Sequence, residues 1–263
     1  MTELDSRDPQ LFIRSLARGL SVIEAMGGES KGMTLSEVAS RCELDRATTR
    51  RILLTLVELS YVRADTNRFF LAPRALSLGY AYLSSFPFWE VARPIMTKLV
   101  NEVKENCSAA TLDGPYAVYV VRIRSDERIV DVSRTVGSRI PAYCTSLGRV
   151  LLAAEPTSVQ EKLLNELPKV ALTPLTVTDN QALMEILAEV KLQGWALVEE
   201  ELEVGLCSLA VPVHDRRGQV VAALNISVQA SRVSSEELRD RYLNSLRGAA
   251  TVISRAFAAR EIV

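Results

Sequence analysis

A single histidine, His214, serves the whole 263-residue chain. Histidine is the commonest general base and metal ligand, so neither a catalytic triad nor a histidine-rich metal site is expected. The cysteines Cys42, Cys107, Cys144 and Cys207 are widely spaced, with no CxxC pair to suggest a zinc or redox motif. Lacking a neighbouring base, Cys144 and Cys207 read as buried small hydrophobes rather than nucleophiles. Glu199, Glu200, Glu201 and Glu203 stand together before Gly205. Clustered carboxylates can bind metals or do acid–base work, but no histidine or aspartate accompanies these, and they read as a solvated loop. No metal, no cofactor and no enzymatic activity are expected. The remaining concentrated chemistry is cationic: Arg46, Arg50 and Arg51. Arginine pairs with phosphates and with guanine edges. The net charge of −1 means that any nucleic-acid contact must come from such a local patch.

Those arginines sit in Thr34–Ser60, which reads as two short helices joined by a tight turn. A helix precedes them over Leu11–Met26, with Leu16, Leu20 and Ile23 at i, i+4, i+7 and Gly27-Gly28 as its stop. Thr34 begins a capping-box pattern with Glu37; Asp45 can cap the next helix. In that helix Ile52, Leu56 and Leu59 form the expected inner side. At about 100° per residue, Arg46, Ala47, Arg50 and Arg51 fall on the opposite arc. Thr34, Thr48 and Thr49 complete the candidate DNA-contact set, Thr49 through its hydroxyl or methyl. A charge run of this kind also suits a merely solvated helix face. Tyr61–Pro73 then reads as a hairpin, and three helices plus a hairpin make a winged helix-turn-helix. Its wing would lay Arg63, Asn67 and Arg68 against the DNA backbone or minor groove.

The chain length admits two domains; 48% hydrophobic and 24% charged residues is an ordinary globular composition. We expect a DNA-binding domain over 10–73, a linker helix within 74–87 whose stripe is Leu76, Tyr80 and Leu83, and a second domain over 88–263. Phe86-Pro87-Phe88 marks the break. The second domain reads as a helix over Trp89–Glu105, then strands over Ser108–Leu112, Ala117–Ile123 and Ile129–Ser133. Gly137–Arg149 reads as a loop entering a helix. Helices over Gln160–Leu167 and Asn180–Gln193 follow, then strands over Trp195–Glu199, Cys207–Val213 and Gln219–Val228, and a last helix capped by Ser234. The fold class is α+β, with mostly antiparallel strands. No apolar run approaches the roughly 18 residues of a membrane span, and the N-terminus lacks a secretory core; a cytoplasmic location is expected.

Asp215-Arg216-Arg217-Gly218 is a hairpin turn. Pairing outward from it sets Ser208 opposite Asn225 and Ala210 opposite Ala223. By alternation, Ser208, Ala210, Ala223, Asn225 and Ser227 share one small, polar face, while Leu209, Val211, Leu224 and Ile226 share the other. The small face either meets water or leaves room for a ligand. Thr145 or Ser146 can cap the helix beginning LGRVLLAAE. Its N-terminus suits a carboxylate, and Gly148 places no side chain in the way; an ordinary cap is the plainer reading.

LSEVASRCELDRATTRRILLTLVELSYV resembles the winged helix-turn-helix of IclR-family transcriptional regulators. FIRSLARGLSVIEAM, RALSLGYAYLSS, LDGPYAVYVVRI, VGSRIPAYCTSLGRVLLAAE, ELEVGLCSLAVPV and AALNISVQASR extend the resemblance over most of the chain. The similarity is closest to the β-ketoadipate-pathway branch, which governs aromatic-acid catabolism. The resemblance implies a GAF-like effector domain and a homodimer built through the DNA-binding half, with tetramers through the effector domains. It implies as partners a double-stranded DNA operator, a small organic-acid effector and RNA polymerase, and no membrane. It places the pocket between TSLGR and the strands GLCSLAV and LNIS: Thr145, Ser146, Leu147, Gly148, Cys207, Ser208, Asn225 and Ser227. Other branches commonly have Cys at the Ser208 position and Ser at the Asn225 position, and this branch usually has Met at Leu147. Two alternatives stand beside an effector-controlled regulator: a second domain that only oligomerises, or an enzyme using Cys144, Cys207 or the glutamates.

Overall fold

The computed structural model describes residues 12–86, 88–126 and 134–260. Contacts divide the chain into two compact units, Met1–Ser84 and Ser85–Val263.

The smaller unit holds α1 (Arg14–Ala25), α2 (Leu35–Arg41), α3 (Arg46–Glu58), β1 (Val62–Asp65), β2 (Arg68–Leu71) and α4 (Leu76–Ser85). Side chains start α2 and α3 as the sequence suggests. Thr34 Oγ1 accepts from the Glu37 amide, and the Thr34 amide donates to Glu37 Oε2 at 2.7 Å. Asp45 Oδ1 accepts from the Thr48 amide at 2.8 Å, a contact that holds the Asp45 carboxyl below the usual carboxylate range. β1 and β2 pair from Val62↔Leu71 to Asp65↔Arg68, and Met33 bridges to Phe69 beside them. Gly32 is left-handed, and a Cβ there would overlap the Phe70 ring, so this approach requires glycine.

Two helices turn differently from expectation. In α1 the buried residue is Val22, joined in the core by Met26 just past the helix, while Leu16 and Leu20 are exposed and Ile23 is half-buried. The helix carries two apolar stripes, and spacing alone does not say which one packs. In α3 the buried stripe is Thr49, Leu53 and Leu56; Leu59, expected inside, is the exposed C-cap. α4 buries none of its residues.

The larger unit wraps helices around a six-stranded sheet whose order is β5-β4-β3-β8-β7-β6, every pair antiparallel. The strands are β3 (Asn106–Asp113), β4 (Tyr116–Ile123), β5 (Arg139–Pro141), β6 (Ala196–Glu199), β7 (Leu206–His214) and β8 (Val220–Gln229). β5 lies in a segment read from sequence as loop; three residues are too few to show alternation. The strand expected over Ile129–Ser133 lies outside the described residues. One face packs on α5 (Phe88–Val103) and α9 (Ser235–Arg260) through Leu209, Val211, Leu224 and Ile226. The other packs on α6 (Ser146–Ala154) and α8 (Asn180–Gln193) through Ala210 and Ala223, with α7 (Thr157–Glu166) beside them. Gly194, left-handed at φ 75°, closes α8.

The β7–β8 register differs from the expected one by two residues. Ser208 faces Ser227, Ala210 faces Asn225 and Pro212 faces Ala223. An irregularity between Val213 and His214, and a turn closed by the Asp215 amide on the Gln219 carbonyl at 2.9 Å, produce the offset. Because side chains alternate with period two, an even shift leaves every residue on its face. The small face is therefore as read, but it does not meet water: α6 covers it.

Candidate functional site

α3 supplies the smaller unit's surface chemistry. Arg46, Ala47 and Arg50 are exposed. Among the described residues, no carboxylate lies within ion-pair distance of Arg46, Arg50 or Arg51. Four other arginines of the unit are engaged. Arg41 bonds the Ala25 carbonyl and Glu29. Arg63 stacks on Phe70 at 4.0 Å, and Arg74 on Tyr61. Arg68 donates to the Gly32 carbonyl at 2.8 Å and sits 3.6 Å from Glu37. The wing arginines Arg63 and Arg68 are thus fastened to their own unit while exposed, and Asn67 stands at the wing tip. Thr34 spends its hydroxyl on the α2 cap.

Thr49 is corrected. It is fully buried, with its hydroxyl on the Asp45 carbonyl at 2.9 Å, so it faces the core and reaches no external partner. Thr48 and Arg51 lie toward α1. With Leu16, Leu20, Ile23, Ile52 and Leu59 they line an open apolar groove of about 780 Å³. The expected inner stripes of α1 and α3 therefore meet each other at the surface.

In the larger unit, α6 starts against the small sheet face. Thr145 caps it, accepting from the Gly148 amide at 3.2 Å and donating to the Pro141 carbonyl at 2.9 Å. Ser146 Oγ meets Ser208 Oγ at 2.8 Å. Asn225 accepts from the Ser108 amide and donates to Ser227 Oγ, both at 3.1 Å. These side chains and Leu147 line one small, partly open space with Tyr119, Ile140, Cys144, Val198, Leu202 and Leu206. Its volume is about 20 Å³, room for about one water; an organic acid requires the walls to part.

Two expected pocket residues lie elsewhere. Cys207 points to the opposite face, into the core with Leu209, as alternation from Ser208 dictates. Gly148 lacks a side chain for a different partner: a Cβ there would overlap the Ala142 backbone. Its role is close packing of α6, not ligand access. The glutamate run is also not uniformly solvated. Glu201 is buried and holds Arg149 by two contacts of 2.7 Å. Neither Arg149 nor Glu201 stands out in the sequence, one inside a helix stripe and the other among like residues.

Burial and the Glu201 carboxylate push the Cys144 thiol up to about 12; burial and Glu199 with Glu200 push Cys207 up to about 11. Burial raises Cys107 as well. A thiolate is the reactive species, and these sites hold the neutral thiol.

Residues 15–66 match the IclR helix-turn-helix domain, and residues 80–255 match the bacterial transcriptional regulator IclR C-terminal family. This chain belongs to the IclR family of transcriptional regulators. It is 42% identical over 236 residues to the Pca regulon regulatory protein of Pseudomonas putida, covering 90% of this chain and 81% of that one. A transcriptional regulator of Rhodococcus sp. RHA1 superposes with a TM-score of 0.80 at 45% identity, over 94% of this chain and 99% of that one. An IclR homologue from Microbacterium hydrocarbonoxydans, crystallised with 4-hydroxybenzoate, superposes with a TM-score of 0.79 at 26% identity, over 93% and 99%. The smaller unit is accordingly the DNA-binding half of an IclR regulator, and the larger is its effector-domain fold. Among the described residues, no helix is long and apolar enough to cross a membrane.

Proposed function

We propose that this IclR regulator binds a small aromatic acid between the start of α6 and the β7–β8 face, and that the bound acid sets its affinity for an operator. One observation carries the reading: Ser146, Ser208, Asn225 and Ser227 converge on one small space at a helix N-terminus. Free N–H groups of that first turn suit a carboxylate, and the hydroxyls and amide orient the rest. The 4-hydroxybenzoate complex of the Microbacterium homologue supports this ligand class. The ligand enters by replacing the Ser146–Ser208 hydrogen bond with bonds of its own. Arg46, Ala47 and Arg50 contact the operator, with Asn67 and the fastened Arg63 and Arg68 placing the wing on its backbone. A second copy covers the apolar groove of α1 and α3, since a patch of this kind marks an interaction surface. Paired recognition helices then fix the half-site spacing. The regulator works in the cytoplasm at promoters shared with RNA polymerase, and it catalyses nothing.

Thermal unfolding of the full chain with 4-hydroxybenzoate, protocatechuate or β-ketoadipate tests the pocket. A ligand at a hundred times its Kd stabilises the fold by about 2.7 kcal/mol. A concentration-dependent rise in midpoint with one of these acids is expected. No rise with any of them would leave the larger unit as an oligomerisation module only.

A further inference from the structure

The Arg149–Glu201 pair lies outside the group of side chains that line the pocket, yet it ties together backbone beside two of its walls. Arg149 Nε donates to the Tyr143 carbonyl at 2.8 Å, beside the lining residue Cys144. Its two terminal nitrogens grip the two Glu201 oxygens at 2.7 Å each, and Glu201 adjoins the lining residue Leu202. Glu201 Oε2 also accepts from the Val177 amide at 2.9 Å, and the Glu201 carbonyl accepts from Thr176 Oγ1 at 2.6 Å. Both side chains are buried, 4% and 8% exposed. Buried pairs add little net stability because desolvation offsets their attraction. A bidentate fork does impose strict geometry.

We propose that Arg149 and Glu201 are positioning residues for the effector: together they hold the Leu202 wall at a set distance from the start of α6. The inference rests on the pocket reading above and deepens it. The sheet floor, Ser208, Asn225 and Ser227, is fixed by its strand pairing. The α6 start and the Leu202 loop are fixed to each other by the fork. Tyr119, on β4, is held by pairing with β3, and what remains is the side formed by Ile140, on the three-residue edge strand β5. The space widens there, and the fork sets how large an acid the pocket takes.

The test compares wild type, Arg149→Met/Glu201→Leu and Glu201→Asp as full chains. Calorimetric titration with 4-hydroxybenzoate and the bulkier 4-phenylbenzoate is read beside the thermal midpoint. The apolar double variant keeps the packed volume but leaves the Tyr143 carbonyl and the Val177 amide without their partners, so it should fold with a midpoint below wild type. Its Kd for 4-hydroxybenzoate should weaken at least tenfold, and its preference over 4-phenylbenzoate should shrink at least tenfold. Glu201→Asp keeps the charge, shortens the tether by one methylene and should shift the same preference; it decides the matter if the double variant does not fold. A folded variant with wild-type Kd and preference overturns the proposal. Wild type that takes up neither acid, with no rise for protocatechuate or β-ketoadipate, removes the pocket reading, and this inference with it.

Discussion

The two units handle their arginines in opposite ways. On α3, Arg46 and Arg50 stand in solvent with no acidic partner among the described residues. On α6, Arg149 is buried and its guanidinium is wholly engaged by Glu201 and the Tyr143 carbonyl. The same side chain is a probe of the outside in one unit and a spacer in the other. Recognition of a large polyanion needs charge left available at the surface. Recognition of a small acid needs walls held still, with backbone amides and hydroxyls doing the recognising.

The sharpest way to break this contrast is to replace Arg46 and Arg50 together by Ala. Operator affinity, read by mobility shift at constant salt, should fall more than tenfold, while the acid-dependent rise in thermal midpoint stays at its wild-type size. Unchanged mobility would remove α3 from the DNA interface. Packing provides the next test. Gly148→Ala forces a Cβ into the Ala142 backbone and should destabilise the larger unit by about 1–3 kcal/mol in urea. Leu192→Ala, on a side chain of α8 that is 88% exposed, should stay within about 0.5 kcal/mol. A neutral Gly148→Ala would mean that α6 rides more loosely on the sheet than its backbone contact indicates. A further test concerns pH. Cys144 and Cys207 are raised from an ordinary value of 9.0 to about 12 and about 11. Their neutral thiols favour the folded state fully below pH 9, and that contribution disappears as pH climbs through the folded values. The urea midpoint of the larger unit should therefore decline between pH 9 and 12, and less steeply once both cysteines are Ala.

Much of the smaller unit is legible because its determinants are local. The Thr34–Glu37 capping box, the Asp45 cap and the Asp65–Arg68 hairpin each span a few residues. Which stripe of α1 faces inward is decided by α2 and α3, so Val22 and Met26 were indistinguishable from Leu16 and Leu20. In the larger unit, alternation alone placed Ser208, Asn225 and Ser227 on a common face, and it survived a register two residues off. Alternation also excludes Cys207 from that face; family resemblance had put it in the pocket. Tyr119 and Ile140 reach the space only through sheet neighbours distant in sequence, and nothing local marks them. Glu201 is set apart from Glu199 and Glu200 by Arg149, 52 residues away, and by the Val177 amide, 24 residues away.

The sheet order β5-β4-β3-β8-β7-β6 also sets a timetable for synthesis. Ser108 on β3 bonds Asn225 on β8, 117 residues later. The helix-turn-helix unit is complete by Ser84 and can fold while the rest is still being translated. The β3–β4 hairpin then emerges with the outer edge of β3 unpaired, and it stays so until β8 has been made. Non-local pairing of this kind is slow, and an open edge is where nascent chains associate wrongly. During its own production this regulator presents a finished DNA reader ahead of its effector-domain unit.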